Sequence, residues 1–179
     1  MICRKTAQGW FFISQPAHAW LSGELVSNWE NKNMFSPSPN NEVVLATTLH
    51  DFGWVEYDKS PSLHDNGRPV NFNEIPINEI INIWGRAITH ASLYNPYSAL
   101  LISMHASNIY KGRIDKSIYS AEHIRKLKKM IQFHIARQKD IISALALHEN
   151  YGTAVSPKQL QANYSILRIC DLLILAVLT

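Results

Sequence analysis

Cysteine, glycine, proline and charge are all scarce in this sequence. Only two cysteines occur among 179 residues, so the chain has neither a multi-disulfide framework nor a cysteine zinc site. We interpret Cys3 and Cys170, near opposite ends of the chain, as small buried side chains in a reducing, cytoplasmic compartment. Seven glycines and eight prolines leave long stretches without helix breakers, and charged residues make up 17% against about 25% in an average soluble domain. This composition favours a mainly helical protein over a sandwich of short strands.

Long hydrophobic runs and a strong net charge are absent as well. The most apolar stretch, residues 166–178, contains Arg168 and Asp171 and is shorter than the roughly 20 apolar residues that cross a membrane. We therefore interpret it as a core helix and predict no membrane association. The N-terminus lacks the apolar run of a signal peptide, and the net charge of +3 does not by itself indicate a nucleic-acid partner.

Local patterns predict a small hairpin followed by helices, in one domain that covers residues 1–179. Residues 2–13 are typical of two strands around a turn at Gly9, which can adopt the positive φ that hairpin turns often need. Asn95-Pro96 is a typical helix start, with Asn as the capping residue and Pro at the first helical position. A turn-rich loop covers residues 53–76, and loops of that length are often functional. Predicted helices cover about 16–29, 41–50, 77–92, 95–110, 119–149 and 156–178, with a basic connector over 111–118.

The first helix combines an apolar stripe with a histidine. Its apolar residues recur at helical spacing, which predicts that they face the core: Ala17, Trp20, Leu21, Leu25 and Trp29. His18 lies beside this stripe, where its imidazole could ligate a metal ion or bond a neighbouring carbonyl oxygen.

The dipeptide His50-Asp51, at the end of an apolar helix, is the strongest chemical signal in the chain. Imidazole and carboxylate both ligate divalent transition metals, and adjacent side chains reach one ion only near a helix end. His105 interrupts the apolar string of a later helix, and Asp171 interrupts that of the last one. A buried carboxylate is costly unless it is paired or bound to a cation. Because residues on different helices of a bundle can converge, these positions and His18 predict a metal site.

Each of these residues also has a purely structural explanation. The helix dipole would favour His50 at a helix C-terminus, and Asp51 would then cap the next loop. Asp171 would form an ion pair with Arg168, three residues earlier on the same helix, or with a residue of another helix. His105 would be a core histidine whose hydrogen bonds are satisfied. If these explanations hold together, the protein is a structural bundle of helices without a metal.

Basic residues are concentrated between positions 111 and 129. A solvated helix face explains them better than nucleic-acid binding, because few aromatic residues alternate with the charges. Nucleic acid is therefore not the predicted partner. Trp54, Lys59 and Arg68, on the loop that follows His50-Asp51, are the candidates for binding a substrate, the two cations by pairing its negative charge.

The order of His18, His50-Asp51, His105 and Asp171 resembles the HD superfamily of metal-dependent phosphohydrolases. In that superfamily the first His, the His-Asp pair and a final Asp bind one metal ion, and further histidines often bind a second. The glycine of the superfamily signature is commonly followed by Lys or Arg, whereas this chain has Trp54.

Longer strings resemble a bacterial family known as domain of unknown function 3891. Members of that family continue past the last helix, so the resemblance implies an HD-like helical domain that lacks a C-terminal segment. The matching strings are Gln15-Pro16-Ala17-His18-Ala19, His50-Asp51-Phe52-Gly53-Trp54, a loop with Asp58, Pro61, Gly67, Pro69 and Phe72, the helix from Pro96-Tyr97 to Ser103-Met104-His105, and Asp171-Leu172-Leu173.

These resemblances imply a metal-dependent phosphohydrolase that acts on a small phosphate ester or a nucleotide. The divalent ion, Mn, Fe, Mg or Zn, would be held by His18, His50, Asp51 and Asp171, and would lower the pKa of a bound water molecule. Asp51 would also orient the attacking water, and His105 would bind a second ion or protonate the leaving group. The apolar neighbours of His105 favour the ligand role. A non-catalytic sensor that binds a metal or a small ligand is the alternative, and the oligomeric state stays open.

Overall fold

The protein is mainly helical and opens with a two-stranded hairpin, as predicted. A computed structural model describes residues 1–29, 35–114 and 119–179. Strand β1 (Ile2–Thr6) pairs antiparallel with β2 (Gly9–Ile13), with Ile2 opposite Ile13. Gly9 adopts a φ of +140°, a conformation that side chains with a Cβ disfavour. The predicted turn at this glycine is therefore confirmed.

The helices begin at local capping signals. The side chain of Ser14 accepts a hydrogen bond from the Ala17 amide at the start of the first helix, and Asn95 caps the Tyr97 amide at 2.8 Å. The second contact confirms the predicted Asn-Pro start. The predicted basic connector is shorter than expected, because positions 111–114 continue a helix, and positions 115–118, including Lys116, lie outside the described residues. The helices are α1 (Gln15–Ser27), α2 (Asn40–Leu49), α3 (Val55–Asp58), α4 (Ile77–Ser92), α5 (Pro96–Ile114), α6 (Ala121–Ala146) and α7 (Pro157–Leu178).

Helix α5 lies at the centre of the fold. It contacts α2, α4, α6 and α7, and its residues Leu100, Leu101 and Ile102 have no solvent-exposed surface. A helix with neighbours on all sides must be apolar around most of its circumference. This explains why His105, about one turn further along α5, is 1% exposed.

Helix α1 buries a different face from the predicted one. Trp20 and Leu21 are 54% and 36% exposed, so the predicted apolar stripe faces the core only at its end, where Leu25 and Trp29 are partly buried. The buried face consists of small and polar residues: Gln15, His18, Ala19, Ser22, Gly23 and Val26. The physical reason is the close approach of α2, because a Cβ at Gly23 would collide with Thr48. Small side chains permit that approach, and the large ones are left on the outside.

A short 3-10 turn, Phe52–Trp54, connects α2 to α3 and packs on α4. A Cβ at Gly53 would collide with the backbone carbonyl of Ile83 in α4. Arg86 also donates from Nε to the Gly53 carbonyl oxygen at 3.1 Å. The glycine of the His-Asp-x-Gly string therefore seats this turn directly on the backbone of a core helix.

Helix α7 is buried over its first half and partly exposed over its second. Ile166, Leu167 and Cys170 are buried, whereas Leu173 and Val177 are 50% and 73% exposed. In the described part of the chain, α7 alone is long and apolar enough to cross a membrane, and 39% of its most apolar window is buried inside the fold. Within the stretch predicted to be a core helix, residues 166–178, burial is confined to Ile166, Leu167, Cys170 and Asp171, and the prediction is wrong for residues 172–178.

Candidate metal centre

Five side chains from three helices and one helix end meet in the interior. His18 Nε2 lies 2.9 Å from Asp171 Oδ1, although the two residues are 153 positions apart. His50 Nε2 lies 3.4 Å from the same oxygen, and His105 Nε2 lies 3.4 Å from Asp171 Oδ2. Asp51 Oδ2 lies 3.5 Å from His50 Nε2. The predicted convergence of His18, His50, Asp51, His105 and Asp171 is therefore observed.

The backbone of α2 orients the His50 ring. His50 follows the last residue of α2, and its Nδ1 lies 2.6 Å from the Thr47 carbonyl oxygen one turn earlier. That contact assigns the hydrogen to Nδ1 and leaves Nε2 directed at Asp51 and Asp171. A ligating histidine is typically held in this way, with one ring nitrogen on a carbonyl oxygen and the other free for the metal.

Asp171 is the hub of the cluster. Burial alone raises the pKa of its carboxyl group, but the imidazoles of His105, His18 and His50 outweigh that effect and lower the pKa below its usual range. Among the described residues, Arg168 makes no ion pair with Asp171. The structural alternative in which those two side chains neutralise each other is therefore not observed, whereas the other structural alternative, pairing with residues of other helices, agrees with the contacts to three imidazoles.

Within the cluster, the pKa values of His50 and Asp51 are shifted as well. Burial lowers the pKa of His50, yet the charges of Asp51 and Asp171 prevail and raise it to about 9. For Asp51, burial is the largest influence, and the pKa of this carboxyl group is raised. The two carboxyl groups beside His50 therefore favour the protonated form of its imidazole.

The donor set fits a divalent metal ion. Ligand atoms of His18, His50 and Asp51 lie within 4.8 Å of one another, and so do those of His50, His105 and Asp171. His50 belongs to both groups. In addition, the buried atoms His50 Nε2, His18 Nδ1 and His105 Nδ1 have no hydrogen-bond partner in the described part of the chain. Imidazole nitrogens with carboxylate oxygens suit Zn, Fe, Mn and related ions.

A cavity of about 720 Å³ opens onto the cluster. All five predicted ligands line it, and so does the predicted substrate-binding residue Trp54. Volumes of this size are typical of sites for small molecules. The arrangement therefore combines a group of metal-competent side chains with space for a ligand above them.

Lys59 and Arg68 do not reach this cavity, contrary to the prediction that they bind substrate. Lys59 Nζ pairs with Glu56 at 2.7 Å on the surface. Arg68 pairs with Glu74 at 2.8 Å within the loop, and this pairing lowers the pKa of Glu74 to about 2. Both cations are thus paired locally, although Phe72 of the same loop lines the cavity.

Other residues line the cavity that sequence patterns did not single out. Gln15 is 4% exposed, and its buried side-chain oxygen has no described hydrogen-bond partner. Asn108 and Arg113 reach the cavity from α5, and Tyr164 and Arg168 reach it from α7. The available signal was periodicity, since Tyr164, Arg168 and Asp171 recur at the spacing of one helix face. Periodicity shows that these residues share one face of the helix, but it does not show which other elements pack beside that face.

These features define a mainly helical protein with a buried His/Asp centre at the floor of a cavity. The family model described as protein of unknown function (DUF3891) matches residues 1–179, and the chain belongs to that family. Searches of curated proteins and of solved structures found no significant match.

Proposed function

We propose that this protein is a metal-dependent phosphohydrolase that acts on a small phosphate ester. The observation that carries the proposal is the set of five buried His and Asp side chains at the floor of a 720 Å³ cavity. The order of these ligands along the chain, which resembles that of the HD superfamily, supports the same conclusion. The fold also supplies a cavity with polar groups at one end, which a binding site for a small molecule requires.

His18, His50, Asp51 and Asp171 would hold the ion, and His105 is placed to complete a second group of ligands with His50 and Asp171. A divalent ion bound there supplies Lewis-acid polarisation of a phosphoryl oxygen and lowers the pKa of a water molecule. The contact between His50 Nδ1 and the Thr47 carbonyl oxygen holds the ring so that Nε2 would be free to bind the ion. Asp171 bridges the imidazoles of α1 and α5 and so keeps their spacing constant.

Asp51 and Gln15 are the groups placed to handle the attacking water. Asp51 lines the cavity and is 7% exposed, so its carboxylate can accept a proton from water on the cavity side. The unpartnered oxygen of Gln15 lies one helical turn from His18 and can accept a hydrogen bond from the same water or from a substrate hydroxyl group. Both side chains are rigid because they are buried, which favours orientation of a nucleophile.

A binding module that retains a metal but lacks activity is the second candidate. It is favoured by Trp54, which lines the cavity at the position where HD enzymes commonly carry a basic residue. Two measurements separate the candidates. Elemental analysis of the freshly purified protein tests for the metal, and a phosphatase screen with Mn²⁺, Fe²⁺, Mg²⁺ and Zn²⁺ tests for turnover. Bound metal without hydrolysis of any phosphate ester supports the binding module, and the absence of any metal leaves a structural bundle.

Metal binding should release protons and tighten as the pH rises. The pKa of His50 is raised to about 9 without metal, so at pH 7 its imidazole carries a proton that an ion must displace. The stabilisation that this raised pKa gives the metal-free protein is complete below about pH 6.5 and is lost as the pH rises through about 9. We therefore expect the metal-induced increase in Tm to be larger at pH 9 than at pH 7.

Calorimetric titrations of Zn²⁺ in two buffers of different ionisation enthalpy count the released protons. About one proton per ion at pH 7, declining above pH 9, is the expected result. If the number of released protons is zero at pH 7, the ion does not bind at His50.

Replacement of His105 by Gln separates a one-metal centre from a two-metal centre. His105 Nε2 contacts Asp171 Oδ2, whereas His18 contacts Oδ1, so the two histidines serve different sides of one carboxylate. We expect H105Q to lose one of two metal equivalents and to reduce activity by about 100-fold or more. An unchanged metal content together with disappearance of the alkaline limb of the pH–rate profile would instead identify His105 as the general acid, and no change in either would remove it from the site. H148Q, a change on the exposed surface, is the control.

The cytoplasm is the proposed location. Two free cysteines, of which Cys170 is buried, agree with a reducing compartment. A small phosphorylated molecule is the proposed partner, and nucleic acid is not.

A further inference from the structure

The cavity above the metal centre contains two positive charges that the proposed ion does not require. Apart from the five cluster residues, the charged side chains that line it are Arg113 and Arg168, and both are cationic. Neither forms an ion pair with a carboxylate among the described residues. An arginine without a counter-ion beside a cavity is a ready anion-binding group, because its planar guanidinium presents several donors in a fixed fork.

The positions of the two arginines place them on the walls rather than on the floor. Arg168 lies three residues before Asp171 on α7, which is about 4.5 Å along the helix axis. Arg113 lies eight residues after His105 on α5, about 12 Å along that axis, and its Cζ stands 5.3 Å from the centroid of the Tyr110 ring. The aromatic ring supports the guanidinium without neutralising it. Both cations line the cavity, with Arg113 partly buried and Arg168 exposed to solvent.

The charge balance of the cavity indicates which anion would need them. Two carboxylates, Asp51 and Asp171, offset the charge of one divalent ion, so a floor that holds one ion has no excess positive charge, and a second ion would add two positive charges to those of the arginines. A phosphate monoester carries about two negative charges at pH 7 to 8, because its second pKa is about 6. A phosphate diester carries one. Two guanidinium groups match the charge of the monoester, whereas one of them would suffice for the diester.

We infer that Arg113 and Arg168 make this cavity selective for phosphate monoesters over phosphate diesters. The inference rests on the proposed function, which does not by itself distinguish these two substrate classes. Arg168 binds the phosphoryl group beside the floor, and Arg113 attracts the second negative charge from the cavity wall. Both are substrate-binding residues, and neither is needed to hold the metal.

The test compares the variants R113Q, R168Q and the double variant with the wild type, all loaded with metal. R137Q is the matched control, because Arg137 is an exposed arginine on α6 that does not line the cavity. The substrates are p-nitrophenyl phosphate and bis(p-nitrophenyl) phosphate. We expect each single variant to lower kcat/KM for the monoester by about 10- to 100-fold, the loss that removal of one charged hydrogen-bonding group produces. The diester should lose no more than about threefold, and R168K should recover part of the monoester activity because it restores the charge.

Calorimetric binding of inorganic phosphate to the same proteins supplies a measurement that does not need turnover. The wild type and R137Q should bind phosphate, and R113Q and R168Q should bind it at least about tenfold more weakly. If the wild type hydrolyses monoesters and the variants keep its monoester-to-diester ratio and its phosphate affinity, the inference is wrong and the proposed function stands. If no protein hydrolyses either ester, the proposed activity fails; the selectivity then stands only if the wild type binds inorganic phosphate at least about tenfold more tightly than dimethyl phosphate and R113Q and R168Q lose that difference, and otherwise it fails as well. A wild type that neither hydrolyses a monoester nor binds phosphate overturns both.

Discussion

Replacement of Asp171 by Asn abolishes metal retention while leaving the helices folded. Asp171 contacts the imidazoles of His18, His50 and His105 within 3.4 Å, so it is the carboxylate that contacts histidines of both ligand groups. Asn keeps the size of the side chain and one acceptor oxygen but removes the charge that a divalent ion requires. We expect the metal affinity to fall by at least about 100-fold and the hydrolysis of phosphate esters to fall to background.

Elemental analysis, circular dichroism and the phosphatase assay are measured together on D171N and on the control D140N. Asp140 is an exposed carboxylate on α6, so its replacement should change neither metal content nor activity. Full metal occupancy in D171N would exclude Asp171 from the ligands. If D171N unfolds and the wild type never contains a metal, the structural-bundle interpretation gains, because removal of one member of a buried charged cluster destabilises a fold by about 3–5 kcal/mol.

Replacement of Gly53 by Ala destabilises the protein, whereas the same replacement at Gly85 stabilises it. A methyl group at Gly53 would meet the carbonyl oxygen of Ile83, which belongs to a helix backbone and cannot turn aside as a side chain can. We expect a loss of about 3 kcal/mol in the free energy of unfolding, at the upper end of the usual cost of overpacking. At Gly85, in the middle of α4, nothing lies within 4 Å of an added Cβ. Ala there should add about 0.5–1 kcal/mol, because glycine is a poor helix former.

Urea unfolding of the two variants measures both changes, and equal m-values show that the midpoints compare stability. The two alanine variants make the same chemical change, so opposite signs isolate the effect of the surroundings. Changes of the same sign would contradict the close packing of the 3-10 turn on α4. G53A should also weaken metal binding, because Asp51 lies two residues before the glycine and moves when the turn is displaced.

Local structure was predictable where the signal is carried by neighbouring residues. The Asn95-Pro96 helix start and the turn at Gly9 depend on backbone conformation and on caps within three residues, and both were predicted from the sequence. The chemical type of the centre was predictable for a similar reason. Imidazole and carboxylate groups interrupt apolar helices at a cost that a cation or a hydrogen-bond partner must offset.

The burial of α1 was not predictable from its own residues. Its largest apolar side chain, Trp20, is exposed, and its buried face carries Gly23 and Ser22. Helical periodicity identifies faces, but the choice between faces depends on how closely the neighbouring helix approaches. Here α2 approaches closely enough that only small residues fit, so packing prevailed over hydrophobicity.

Lys59 and Arg68 were predicted to bind substrate, but neither lines the cavity, and the reason is related. Arg68 was the natural candidate because it lies on the long loop after His50-Asp51, but it pairs with Glu74 six residues further along. Arg168 lies near the centre because α7 packs against α1 and α5. A charged side chain in a sequence carries no information about which partner the folded chain will place beside it.

Composition and local patterns were enough to predict the mainly helical class, the N-terminal hairpin and the His and Asp residues that could ligate a metal. Those properties follow from composition, from local backbone preferences and from the cost of burying a polar group. The tertiary structure was needed to show that Asp171 contacts His18, which lies 153 positions away. It was also needed to show that the side-chain oxygen of Gln15 is buried without a hydrogen-bond partner among the described residues, and that Arg113 and Arg168 line the cavity. Such placements depend on how helices distant in sequence pack together, and packing is a property of the whole chain rather than of any one segment.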